Sequence, residues 1–287
     1  MANKKNKPTI RKLVASGPMI ELLSYPEPPR RLLSHKFTQE ELVERKRIKE
    51  LYNSGTEIPV PEKTNPSVSR SRSKLRRLIN ANSWIWKDKN GYLIPPKFLT
   101  LTIWENIQDL KTANYTLTKF IQRFNYRFKD VLVEPLKYVC VPEFQERGAV
   151  HYHIVLFNFP FMDLVFKKIR DLWEDRFELK TIRRDADTSI IISYVSKYIT
   201  KQSNDGRFWG QKRYFTSRGL VKPIVLYDDI AIELIRQRIW DLEKFRKDIM
   251  VDFVGNINYK TFYLGDKLNI YSLPLDDYVL EKLKSSK

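Results

Sequence analysis

The 287-residue chain carries 52 Lys and Arg against 34 Asp and Glu, a formal net charge of +18 at neutral pH, while 42% of it is hydrophobic and 13% aromatic. That much apolar and aromatic material excludes a chain disordered throughout, and an excess of 18 positive charges calls for a polyanion, nucleic acid ahead of an anionic membrane surface. The single cysteine, Cys140, excludes an internal disulfide and a cysteine zinc cluster and fits a reducing cytoplasm.

Residues 1 to about 36, with Pro-Glu-Pro-Pro at 26–29, read as an irregular basic arm; the apolar stretch after the basic start is broken at Ser16-Gly17-Pro18 and is too short for a signal or a span. Thr38 and Glu41 have the spacing of a capping box, Leu42, Ile48 and Leu51 come after them, and Gly55 is placed to end a short helix. Pro59, Pro61 and Pro66 interrupt regular structure, and Ser67-Val-Ser-Arg-Ser-Arg-Ser-Lys-Leu-Arg-Arg77 is a basic run. From residue 93 the pattern sharpens. Phe98-Leu-Thr-Leu-Thr-Ile103 alternates as a strand, and Leu117, Phe120, Ile121, Phe124 and Phe128 mark a helix. Lys137-Tyr-Val-Cys-Val141 and Val150-His-Tyr-His-Ile-Val-Leu-Phe157 read as two strands of a hairpin turning near Gly148. A helix with Val165, Ile169, Leu172 and Trp173, a short strand at Leu179-Lys-Thr-Ile182 and a helix from about 188 to 202 complete the series.

The order β-α-β-β-α-β-α is that of a ferredoxin-like, RRM-like α+β domain, an antiparallel sheet with helices on one face. Arg213-Tyr-Phe-Thr216 and Val221-Lys-Pro-Ile-Val-Leu226 can add strands, an amphipathic helix is predicted from about 229 to 248, and the last stretch, with Tyr259, Phe262, Tyr263 and Tyr271, reads as a hairpin. The chain thus divides into three regions: an arm over 1–68, a central domain over 69–226 and a C-terminal helix and hairpin extension over 227–287. The nine glycines include no P-loop and no G-x-G-x-x-G, so the chain carries no nucleotide-driven motor and no dinucleotide site. The most apolar segment, 150–166, contains His151, His153, Pro160 and Asp163 and reads as core, not membrane.

Two of the three histidines, His151 and His153, lie two apart on one predicted strand. Side chains alternate along a strand, so both imidazoles project to the same face, roughly 7 Å apart at the backbone, a spacing that suits two ligands of one ion. Glu143, eight residues earlier, can come beside them across the hairpin. Two imidazoles and a carboxylate leave open positions and accept Mg²⁺ or Mn²⁺. An isolated H-x-H is more often an ordinary strand face; the upstream glutamate and a tyrosine-bearing helix downstream shift that balance. In Ser193-Tyr-Val-Ser-Lys-Tyr-Ile-Thr-Lys201, Ile191, Ile192, Val195 and Ile199 form an apolar helical stripe, with Tyr194 and Tyr198 at its border and Lys197 and Lys201 just beyond. Nearby positive charge favours a phenolate, the nucleophilic form.

A Phe-Leu-Thr-Leu-Thr strand, a His-hydrophobic-His strand preceded by a glutamate, and a Tyr-x-x-Lys helix, in that order, resemble the HUH endonucleases that initiate rolling-circle replication. Tyr194-Val-Ser-Lys-Tyr198 is similar to the paired tyrosines of the gene A initiators of small single-stranded DNA phages and of related plasmid Rep proteins. The resemblance spans roughly residues 69 to 225. It implies that His151, His153 and Glu143 hold the divalent ion, with Gln145 and Glu146 as alternative third ligands; that Tyr194 or Tyr198 attacks the scissile phosphate, leaving a 5′-phosphotyrosine and a free 3′-OH; and that Lys197 stabilises charge. It further implies single-stranded or locally melted origin DNA as substrate, with helicase and polymerase supplied by the host.

Motif order separates the relatives: relaxases place the tyrosine before the histidines and usually use a third histidine, whereas here only His35 remains, far upstream. HUH transposases share the order but are typically shorter, with one tyrosine. An RRM-like single-strand binder shares the layout, but the chain lacks its aromatic signature. The basic residues placed to hold DNA are Arg70, Arg72, Lys74, Arg76 and Arg77 before the first strand, Lys201 after the tyrosines, and Lys212, Arg213 and Arg218 further on.

Overall fold

The computed structural model describes residues 10–26, 66–103, 105–160, 165–181, 195, 197–199, 206–208, 211–251, 255–265 and 268–286, with isolated positions 39 and 43. The helix expected from Thr38 to Gly55 lies outside the described residues but for those two positions, as do Tyr194, Lys201 and most of the expected 188–202 helix. The chain is α+β and divides into two compact units, residues 47–221 and, from its two ends, residues 1–46 with 222–287.

The 47–221 unit is built on a five-stranded antiparallel sheet. Its strands in chain order are β3 (Lys97–Thr102), β4 (Tyr138–Phe144), β5 (Val150–Leu156), β6 (Phe177–Thr181) and the two-residue β7 (Phe215–Thr216). Across the sheet they stand β6-β3-β5-β4-β7. Helices α2 (Leu110–Arg127) and α3 (Val165–Arg170) fill the connections. The first four of these strands therefore take the fourth-first-third-second order of the ferredoxin-like layout, matching the β-α-β-β-α-β series of the sequence.

Period-two alternation gives the sheet two buried faces. One takes Leu99, Leu101, Cys140, Tyr152 and Ile154 onto α2, whose Leu110, Ala113, Leu117, Phe120 and Phe124 form one helical stripe. Asp109 caps α2, accepting from the Thr112 amide at 2.7 Å, and the buried Tyr152 hydroxyl donates to Asn114 on α2 at 2.8 Å. The other face takes Phe98, Val139, Val141 and Val155. It is covered by Val68, Leu75 and Ile79 of α1 (Pro66–Asn82) and by Val195, Tyr198 and Ile199 of a helical stretch. Helices thus cover both faces, not one. The basic run at 67–77 is the first three turns of α1: Val68, Leu75 and Ile79 recur at helical spacing, and serine and arginine between them obscure the stripe. Asn82 at its end donates to the Val221 carbonyl at 2.8 Å and accepts from the Val221 amide at 2.9 Å, fastening one end of the unit to the other.

The second unit corrects the reading of the arm. Residues 10–25 form a hairpin, β1 (Ile10–Ser16) and β2 (Met19–Tyr25), in a sheet ordered β8-β1-β2-β10-β9 with β8 (Ile224–Leu226), β9 (Glu243–Val251) and β10 (Gly255–Tyr263). Ser16-Gly17-Pro18, taken as a break, is the hairpin turn, with Gly17 at φ +56°. The predicted 229–248 helix is shorter: α4 (Asp229–Ile239) stops and the chain enters β9 after one 3₁₀ turn. The hairpin of the last stretch is β9–β10, and a further helix, α5 (Asp277–Ser285), comes after it. α4 and α5 cover one face of this sheet, packing Ile232, Ile235, Val279 and Leu283 against Leu13, Ile20 and Phe262. No helix among the described residues is long and apolar enough to cross a membrane.

Candidate active site

The antiparallel register puts the chemistry on the face covered by α1. His151 pairs with Thr102 on one side and Glu143 on the other; His153 pairs with Thr100 and Val141. All these side chains share one face because pairing preserves the alternation. The two imidazole centroids are 6.4 Å apart. The Glu143 carboxylate crosses diagonally to His153, 2.7 Å from Nε2.

His153 is buried, and its ring is flanked by two others. Tyr198 lies parallel to it at 3.5 Å between centroids and 13° between planes, and Phe98 at 5.8 Å and 19°. His151 differs. Its Nε2 is buried with no hydrogen-bond partner among the described residues. Burial, the neighbouring His153 and the guanidiniums of Arg147 and Arg176 push its pKa down to about 4 against the pull of Glu143, so the ring is neutral at physiological pH, the form that ligates metals. No three His, Cys, Asp or Glu side chains among the described residues form a metal-ligating group; Glu143 is engaged with His153, and the two rings stand apart. In donor chemistry the residues nevertheless fit a divalent ion: a neutral imidazole with an unbonded buried nitrogen, a second imidazole and a carboxylate on one face, nitrogen and oxygen ligands mixed.

Two clefts meet at His151. One, of about 460 Å³, is lined by Glu143, Phe144, Gln145, Glu146, Arg147 and His151. The other, of about 680 Å³, includes Thr100, Thr102, Arg147, His151, Arg176 and Glu178. Gln145 and Glu146, the alternative third ligands, therefore line the same cleft as Glu143 and His151. Beside Phe144, Arg207 lies 3.7 Å over the ring, a cation–π contact.

Of the other expected residues, Lys197 is exposed next to Tyr198; Arg70, Arg72 and Lys74 lie along α1, Arg70 exposed, with Arg76 and Arg77 half-buried. Lys212 and Arg218 are exposed, while partial burial lowers the pKa of Arg213 from its usual value. The structure adds Thr100, Thr102, Arg147, Arg176 and the ring of Phe98, none of which the motifs single out. The threonines were legible as alternate positions of Phe98-Leu-Thr-Leu-Thr, but only the register sets them opposite the histidines. Arg147 and Arg176 lie at the hairpin turn and at the entry to β6, where no motif marks them.

A sheet of this order, with paired histidines, a carboxylate and a tyrosine on one covered face, defines an α+β domain equipped for polar chemistry beside a cleft. A family model for replication-associated proteins of the ORF2 type matches residues 96–203, the segment that carries all of these, and supports a replication-initiator family for the chain. Neither a curated protein nor a solved structure matches it.

Proposed function

We propose that the protein initiates rolling-circle DNA replication as an HUH endonuclease, nicking and rejoining single-stranded origin DNA in a divalent-metal-dependent reaction. The observation that carries this reading is the stack of Tyr198 on His153: a tyrosine from the Tyr-x-x-x-Tyr segment lies against the histidine–glutamate group, as attack on a phosphate bound there requires. His151, His153 and Glu143 would hold Mg²⁺ or Mn²⁺, which when bound withdraws charge from the scissile phosphate. A tyrosine phenolate oxygen bonds to phosphorus as the P–O3′ bond breaks. The departing 3′-oxygen takes up a proton and becomes the primer end, while the 5′-phosphate stays on the tyrosine. One phosphodiester replaces another, so no nucleotide is hydrolysed, consistent with the lack of a P-loop. Tyr194 and Tyr198 supply two nucleophiles, one for each cut of a cycle, and Lys197 offers positive charge beside them. Helicase and polymerase come from the host.

A binder of the RRM type stacks bases on an open sheet face. Here α1 and the Val195–Ile199 cluster cover that face and Phe98 is buried, which favours the nuclease. The test is incubation with single-stranded origin DNA and Mn²⁺ followed by denaturing electrophoresis. A detergent-resistant protein–DNA adduct is expected from the wild type and none from the Tyr194→Phe, Tyr198→Phe double variant. No adduct from the wild type, or a persisting one from the double variant, ends the nuclease reading.

A further inference from the structure

The larger cleft at His151 has no role in the motif-based reading. It includes His151 but neither His153 nor Tyr198, so it leads away from the tyrosine along the ends of β3 and β6. Its volume of about 680 Å³ falls inside the range of roughly 300–1,000 Å³ typical of small-molecule sites, ample for one nucleotide unit. We propose that it seats a backbone phosphate of single-stranded DNA next to the one that is cut, held by the guanidiniums of Arg147 and Arg176. The inference rests on the nuclease reading for the path of the strand past His151.

Two features support it. First, Arg147 is held in place: its Nε donates to Gln145 at 2.9 Å and its Nη2 to the Ile103 carbonyl at 2.8 Å. The tight turn beneath it is closed by the Gly148 amide on the Gln145 carbonyl at 2.8 Å and the Gln145 amide on the Ala149 carbonyl at 2.9 Å. A preset guanidinium loses less freedom on gripping an anion than a free one. Second, Arg176 has its backbone locked to the end of β3, its carbonyl accepting from the Thr102 amide at 2.9 Å, while the residue is exposed at the cleft. Thr100 and Thr102 line the same wall, and hydroxyls there can donate to phosphate oxygens. The one acid of the cleft, Glu178, pairs with Lys180 at 2.8 Å, so the lining is net positive.

The test is binding of a short oligothymidylate across a salt series with chelator present, which requires no cleavage. Each phosphate contact removed lowers the log–log salt slope for single strands by about 0.7. Arg176→Ala is therefore expected to lower it by about 0.7 and the Arg147→Ala, Arg176→Ala double variant by about 1.4. Arg176→Lys should hold the wild-type slope. Lys119→Ala, on exposed α2 over the opposite face of the sheet, should also leave it unchanged. Glu178→Gln should tighten binding. Unchanged slopes in both arginine variants, or an equal drop in Lys119→Ala, overturn the proposal. Slopes that fall as expected while the wild type forms no adduct with origin DNA would instead keep the phosphate seat and reject the nuclease.

Discussion

Tyr198 lies face to face with His153, their ring centroids 3.5 Å apart and planes 13° from parallel, and Tyr198 is buried in the cluster that α1 lays over the histidine face. The tyrosine is thus part of the packing and also the group next to the candidate ligands. The two roles separate by substitution. Tyr198→Phe keeps the ring and is expected to stay within about 1 kcal/mol of wild-type stability, whereas Tyr198→Ala opens a cavity beside His153 and should cost about 3–5 kcal/mol. Urea unfolding of both variants checks this; equal losses would mean that the hydroxyl, not the ring, holds the stack.

His151 is expected to matter to the metal and not to the fold. It is half-buried, and its Nε2 has no hydrogen-bond partner among the described residues, so His151→Ala removes no such bond at that atom. Calorimetric titration with Mn²⁺ should show affinity weakened at least about tenfold, adduct formation abolished, and salt-sensitive binding of single strands retained. Parallel loss of DNA binding would point to misfolding.

Gly148 sits at φ +91°, and a Cβ there would come within 2.8 Å of the Gln108 side chain. Gly148→Ala should cost about 1–3 kcal/mol in stability. Because the same turn carries Arg147, it should also weaken single-strand binding. Thermal melts and anisotropy on one sample test both; a variant as stable as wild type would show that the turn relaxes freely.

Lys97 is buried, its ammonium donating to the Phe159 carbonyl and, at 3.4 Å, to that of Pro95. Burial pulls its pKa down to about 8, below the unfolded value of about 10.4. Between those two values the unfolded chain binds more protons than the folded one, so stability rises with pH across that window and the contribution is flat below it. The unfolding free energy of wild type relative to Lys97→Met should therefore climb from about pH 8 to about pH 10, by at most ~1.4 kcal/mol per unit. A difference that is level or falls through the window would contradict the burial of the charge.

The strand-helix series of the central unit was legible because its elements have clean periods: Leu117, Phe120 and Phe124 repeat as a helix, His151 and His153 as a strand. Register was not, since it emerges from pairing between segments distant in the chain; hence Glu143 was expected beside both histidines, whereas its carboxylate settles on His153, and Thr100, Thr102 and Arg176 stayed hidden. Between Trp240 and Val251 the sequence supports two periods at once. Leu242, Phe245 and Ile249 continue a helical stripe, while Phe245, Ile249 and Val251 fall on alternate strand positions, and pairing with β10 decides for the strand. At 67–77 the arginines and serines hid a helix whose buried side needs only Val68 and Leu75 in that stretch.

β2 finds its second neighbour, β10, only after some 230 intervening residues. At roughly 5–20 residues per second of synthesis, the opening hairpin waits more than ten seconds on the ribosome with one edge unpaired, while the whole histidine-bearing unit emerges and can fold. A bare edge of that kind invites pairing with other nascent chains. Expression is therefore expected to suffer more from changes that slow the emergence of the last strands than from equal delays elsewhere, a demand on timing set by topology alone.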